Sequence, residues 1–150
     1  MYTLIKEQFV QATIAEVWAF LKNPSNLDLI TPPYLQFEII SLLPEEMFDG
    51  LIIEYRINLP MFGKRQWVAE IKHIREKCSF VDEQRMGPYR FWYHYHAMVQ
   101  EGGQVKIIDK VHYALPFGPF GRLLHGVYVG GILDRIFRYR KDKLAEILNS

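Results

Sequence analysis

Phe80-Val81-Asp82-Glu83-Gln84-Arg85-Met86-Gly87-Pro88-Tyr89-Arg90-Phe91-Trp92-Tyr93-His94-Tyr95-His96-Ala97-Met98 is the stretch on which the reading of the fold turns. Gly87-Pro88 is a turn signal, and the flanking residues alternate in character as strand residues do, so the segment predicts a β-hairpin. Each arm sorts by parity. One set is Phe80, Asp82, Gln84 and Met86, continued across the turn by Arg90, Trp92, His94, His96 and Met98. The other is Val81, Glu83 and Arg85, followed by Tyr89, Phe91, Tyr93, Tyr95 and Ala97. Parity separates the two faces without saying which of them points inward.

Outward from this hairpin the period of two persists from Leu35 to Leu115, in runs such as Leu51 to Leu59 and Trp67 to Ile74. Turn signals at Glu45 to Gly50, Pro60 to Gly63, Glu76-Lys77 and Glu101-Gly102-Gly103 divide these runs into consecutive antiparallel strands. Upstream, Tyr2 to Val10 carries β-formers and gives way to Thr13-Ile14-Ala15-Glu16, a helix-capping pattern. The helix it starts is expected to bury Val17, Phe20 and Leu21 and to stop before Asn23-Pro24. A second short helix over Ser25 to Asp28 is expected to end at Thr31-Pro32-Pro33. After Leu115-Pro116-Phe117-Gly118 the period becomes helical, with Leu133, Ile136, Phe137, Leu144, Ile147 and Leu148 on one stripe and Arg135, Arg138, Lys141, Asp142 and Glu146 off it. One strand, two short helices, six or so strands and a long helix make an α+β domain spanning residues 1–150. The economical way to bury its apolar faces is to wrap a curved antiparallel sheet around the C-terminal helix, which leaves a hollow between them.

Composition narrows the function. The 150 residues are 49% hydrophobic and 23% charged, as in a folded globule, while aromatic residues reach 15%, which suits a lined cavity. A net charge of +1 offers no field to attract nucleic acid. Cys78 is the single cysteine, so no internal disulfide forms and a cytoplasmic setting is expected. No apolar run approaches the roughly 20 residues of a bilayer span, so no integral membrane association is expected.

The succession Phe80-x-Asp82-x-Gln84, Gly87-Pro88-Tyr89, Trp92-x-His94-x-His96 and Asp109-x-Val111-x-Tyr113-x-Leu115-Pro116 resembles the SRPBCC ligand-binding proteins. That superfamily includes START lipid-transfer domains, pollen-allergen and plant hormone-receptor relatives, and polyketide cyclase/dehydratases. The resemblance covers the whole chain in element order, with its specific residues between Trp67 and Pro116. It implies a helix-grip (START-like) fold of six to seven strands, a cavity between sheet and terminal helix, and an inward orientation for Trp92, His94 and His96.

With that orientation, Asp82, Gln84, His94, His96, Asp109 and Tyr113 form the polar end of a site whose walls are Tyr55, Trp67, Phe80, Trp92 and Ile136. Buried polar groups need partners, so one reading is a self-satisfied network that fixes the sheet. The compatible functional reading is that these groups orient the polar end of a small hydrophobic ligand, such as a lipid, polyketide or isoprenoid-like molecule. The rival is a cyclase or dehydratase in which His94, His96 or Asp109 supplies acid-base catalysis. Metal binding by His94-x-His96 with Asp82 or Asp109 is a third option, but no third ligand stands at a diagnostic spacing, and the expectation is no metal and no cofactor. A weak homodimer is left open, and a third class of reading is a non-catalytic partner module whose pocket is filled by its own side chains.

Three further features have a bland and a sharp reading. Gly118, Gly121, Gly126, Gly130 and Gly131 suggest a mobile approach to the terminal helix that opens as a portal, or else an irregular loop. Arg135, Arg138, Arg140, Lys141 and Lys143 read as a solvated helix face diluted by Asp134, Asp142 and Glu146 rather than a lipid-binding patch. Met61-Phe62 is an apolar turn tip that covers the cavity mouth or meets a partner, or else packs on the loop before the terminal helix.

Overall fold

The computed structural model describes residues 1–60 and 62–149. The chain begins with β1 (Tyr2–Val10), α1 (Ile14–Leu21) and two short 3₁₀ helices, Pro24–Ile30 and Pro33–Leu35. Six strands follow: β2 (Glu38–Ile39), β3 (Ile52–Leu59), β4 (Gly63–Arg75), β5 (Ser79–Met86), β6 (Phe91–Glu101) and β7 (Gln104–Ala114). The C-terminal part is helical: α2 (Gly118–Leu124), a π-turn over His125–Val129, and α3 (Gly130–Leu148). The strands form a single seven-stranded sheet in the order β1-β7-β6-β5-β4-β3-β2, every neighbouring pair antiparallel.

Local chemistry explains the order. The Thr13 hydroxyl accepts from the Glu16 amide and the Glu16 carboxylate accepts from the Thr13 amide, closing the capping box that starts α1. Replacing Thr13 by alanine is expected to cost about 1 kcal/mol and to lower the Tm by about 2–4 °C, read by thermal denaturation. The helix buries Val17 and Trp18, with Phe20 and Leu21 partly covered. Between β4 and β5 the register shifts at Val68/Ala69 and again at Lys72/Arg75, where His73 takes a left-handed φ of 56°. Such bulges bend a strand and add twist, which curls the sheet towards α3. On the concave side the sheet meets Leu133, Phe137, Leu144 and Leu148 of α3, all buried in the core.

Several expectations are corrected here. The residues after Pro32 form a further 3₁₀ turn instead of simply ending a helix, and β2 is only two residues long. The glycine-rich approach to the terminal helix is not an irregular loop: α2, the π-turn and α3 run on without interruption from Gly118 to Leu148. Ile147 is 42% exposed, whereas Arg140, expected on the solvated face, is 7% exposed. The rest of the basic run is diluted by local ion pairs, Arg138 with Asp134 and Lys143 with Glu146. Met61 lies outside the described residues; Phe62 rests against Tyr89 with ring centroids 5.8 Å apart. Cys78 is a free, exposed thiol in the turn before β5. No helix among the described residues is long and apolar enough to cross a membrane.

Candidate functional site

Strand register assembles the polar cluster. In the β5–β6 pair Phe80 stands opposite His96 and Asp82 opposite His94, and in the β6–β7 pair His96 stands opposite Asp109. Directly opposed residues point to the same face of an antiparallel pair, so two imidazoles and two carboxylates gather on three adjacent strands. That face is the concave one: Trp92, His94, His96 and Met98 are all buried.

The contacts form a closed pattern. His94 Nε2–H donates to Asp109 Oδ1 at 2.8 Å, and His96 Nε2–H donates to Asp82 Oδ2 at 2.5 Å. Arg140 reaches down from α3 and clasps the Asp109 carboxylate, with Nε 3.4 Å from Oδ2 and Nη2 3.3 Å from Oδ1. The same Nη2 lies 3.4 Å from His96 Nδ1. Two cross contacts complete the cluster at 3.4 Å each, from His94 Nδ1 to Asp82 Oδ2 and from His96 Nδ1 to Asp109 Oδ1. The imidazoles stack on one another at 3.7 Å, and Phe80 stacks on His96 at 4.2 Å, so ring packing as well as charge holds them in place.

Electrostatics divides the roles. Burial pushes the His94 pKa down, and the neighbouring His96 adds to this, so that it falls below its ordinary value despite the two carboxylates. Burial acts the same way on His96, but its hydrogen bonds to Asp109 and Asp82 outweigh it and the pKa rises. Burial raises Asp82, yet His94, the His96 hydrogen bond and Arg140 carry it below the usual carboxylate value. Asp109 is opposed by burial too, and Arg140 with the two histidines hold it well below. The carboxylates and Arg140 thus offset one another's charge, while burial disfavours charge on His94 and the two carboxylates favour it on His96. A balanced cluster is what allows such groups to be buried at all.

Beside this cluster lies a cavity of about 180 Å³ between β3, β4, β5, β6 and the apolar face of α3. Its walls are Leu35, Phe37, Ile53, Tyr55, Trp67, Ala69, Phe80, Tyr89, Trp92, Leu133, Ile136 and Phe137, and Asp82, His94, His96 and Arg140 supply its polar end. A cavity of about 150 Å³ lined by aliphatic and aromatic groups holds benzene, so there is room here for a small ring system or the tip of a chain. Tyr55 and Trp67 stack at 5.7 Å, and Trp67 meets Trp92 edge-on at 5.3 Å, which makes a rigid aromatic wall. The indole N–H of Trp67 is buried without a hydrogen-bond partner among the described residues.

The expected site residues separate into two groups. Tyr55, Trp67, Phe80, Asp82, Trp92, His94, His96 and Ile136 meet around the cavity. Gln84, Asp109 and Tyr113 are not on its lining. Gln84 is captured by the hairpin turn, donating from Nε2 to the Tyr89 carbonyl at 2.7 Å and accepting the Tyr89 amide on Oε1 at 3.1 Å. A Cβ at position 87 would come within 2.5 Å of that Oε1, so a side chain there would displace the Gln84 amide. Asp109 sits behind the imidazoles as the link to Arg140. Tyr113 bonds to His125 Nε2 at 2.6 Å, and Tyr2 stacks on that imidazole at 3.6 Å, a separate cluster under the π-turn. Tyr113→Phe is therefore expected to cost about 1 kcal/mol of stability and to leave ligand affinity unchanged, measured by urea unfolding alongside a binding titration. Sequence reasoning missed Arg140 at the polar end and, on the walls, Leu35, Phe37, Ile53, Ala69, Tyr89, Leu133 and Phe137. For Arg140 a signal existed: an inward-facing Asp109 requires a cation, and position 140 lies on the apolar stripe between Phe137 and Leu144.

The architecture defines the class: an α+β domain whose curved antiparallel sheet and long C-terminal helix enclose an aromatic-walled cavity with a charged end. No protein-family model matches the chain, and no curated protein matches it. Solved structures do share the fold. TTHA0849 from Thermus thermophilus is 18% identical, with a TM-score of 0.71 over 98% of this chain and 97% of that one. CV1439 from Chromobacterium violaceum is 8% identical, with a TM-score of 0.76 over 100% and 99%. A nucleoside-diphosphate sugar epimerase from Corynebacterium glutamicum is 24% identical, with a TM-score of 0.65 over 95% of this chain but only 28% of that chain, where the fold is one part of a longer protein. Identities this low speak to the fold alone.

Proposed function

We propose that the chain is a helix-grip protein of the SRPBCC type that binds a small hydrophobic or amphipathic molecule between the sheet and α3, in the cytoplasm. The observation that carries this reading is the 180 Å³ cavity, with its aromatic walls and its charged groups confined to one end. Small-molecule sites divide their labour in this way, rings holding the body and a few polar groups fixing the orientation. Asp82, the least buried member of the cluster, is the group placed to meet the polar end of a guest. Trp67 and Trp92 both line the cavity, so an occupant alters their fluorescence. Titration with fatty acids, isoprenoid alcohols and aromatic polyketides is expected to give a saturable change with one of these classes. A flat response to all of them, with no shift in Tm, contradicts the reading.

A second reading is favoured by one feature, the Asp82–His96 hydrogen bond on the cavity wall beside His94, whose pKa burial lowers while that of His96 is raised. Environments that push paired titratable groups apart are what acid-base catalysis uses, and a cyclase or dehydratase would employ this pair. His96→Gln separates the two. In an enzyme it removes turnover and leaves affinity nearly intact; in a binder it weakens affinity and there is no turnover to lose.

A further inference from the structure

We propose that Asp82, His94 and His96 form a binding site for a divalent first-row metal ion, Zn2+ foremost, with an open coordination position facing the cavity. Each of the three offers one ligand atom, and these atoms lie within 4.8 Å of one another. The nitrogens turned towards the Asp82 carboxylate are His94 Nδ1 and His96 Nε2, and with an Asp82 oxygen they make the ligand set. Two imidazoles and a carboxylate are a donor set suited to Zn2+, and three protein ligands leave a position for water or for an oxygen of a bound molecule. All three residues line the cavity, so that position has somewhere to open.

The surroundings match what metal-ligating histidines need. A histidine that binds through one ring nitrogen ordinarily gives the other N–H to a carboxylate, which fixes its tautomer and raises its basicity. Asp109 serves His94 in this way: its Oδ1 lies 2.8 Å from His94 Nε2, the nitrogen not offered to the metal, while His96 Nδ1 accepts from Arg140 Nη2 at 3.4 Å. Arg140 holds Asp109 from behind and stands on the Nδ1 side of His96, away from the ligand atom Nε2. Without a metal, the His96 Nε2–H bond to Asp82 spans this gap at 2.5 Å; an ion takes the proton's place as the carboxylate draws back slightly. With the ion bound and both histidines neutral, the two carboxylates and Arg140 leave one net positive charge at the polar end, which favours an anionic oxygen in the open position.

Metal titration tests the site without any organic ligand, so its failure leaves the apolar-binder reading standing, and failure of that reading leaves the metal site standing. The full chain, stripped with a chelator and then freed of it, is titrated with Co2+ and its visible spectrum recorded. The expected result is one Co2+ per chain with the intense d–d absorption of a four- or five-coordinate ion, displaced by Zn2+. Asp82→Asn is expected to remove this spectrum, and Asp109→Asn to weaken affinity by about 10–100-fold as a positioning residue. The weak spectrum of aqueous octahedral Co2+, or unchanged binding by a folded Asp82→Asn variant, overturns the proposal. Should Asp82→Asn fail to fold, histidine-ring 15N spectra of the unmodified chain decide: Zn2+ must shift His94 Nδ1 and His96 Nε2, and shifts confined to His73 or His112 overturn it.

Discussion

Asp109→Ala is expected to destabilise the chain by about 3–5 kcal/mol, because it strands the buried Arg140 guanidinium without its counter-charge. For a domain of this length that corresponds to a fall in Tm of about 10 °C, read by calorimetry or circular dichroism. The large effect comes from the charge left behind, not from the energy of the pair itself. Desolvating both ions costs much of what their attraction returns, so replacing both should cost far less than replacing one. Asp109→Leu combined with Arg140→Met is accordingly expected to recover most of the lost stability. If the single and double variants are equally unstable, Asp109 contributes through its bond to His94 and not through Arg140.

Ala69→Phe is expected to abolish ligand binding, lowering affinity by at least about 100-fold, while costing no more than the roughly 1–3 kcal/mol typical of overpacking. Ala69 is buried on β4 and lines the cavity, so a phenyl ring at this position grows into space that a guest would occupy. Overpacking in a dense core strains its neighbours; here the ring has a cavity to enter. Fluorescence titration of the variant with whichever ligand class the unmodified chain accepts checks the outcome. Undiminished affinity would place the guest somewhere other than the cavity.

The order of elements was legible because its signals are local. The capping box at Thr13 and the turn residues at Gly87-Pro88 and Gly102-Gly103 each act within a few residues, and each falls at an element boundary. The polar end was legible in part, since the period of two puts His94 and His96 on one face. Parity gives the face of a strand residue, but not its depth or its partner. Gln84 shares the face of Asp82 and is taken up by the Tyr89 backbone within its own hairpin. Tyr113 shares the face of Asp109 but stands further along the strand, where the π-turn places His125 above it. Arg140 was hidden for the opposite reason: its charge suggested solvent, while its position on the helix matched the buried stripe. Ile147 erred the other way, an apolar residue at the edge of that stripe that is turned to solvent while its neighbour Leu148 is buried.

The central claim is that the cavity holds a small apolar or amphipathic molecule. Native mass spectrometry of the protein purified from its own host, followed by extraction and identification of what it retains, tests this most directly. The predicted result is a stoichiometric adduct on the unmodified chain that is lost in Ala69→Phe. An adduct-free spectrum for the unmodified chain, together with a Tm that ignores the ligand panel, would contradict it and indicate a domain whose cavity is closed to guests.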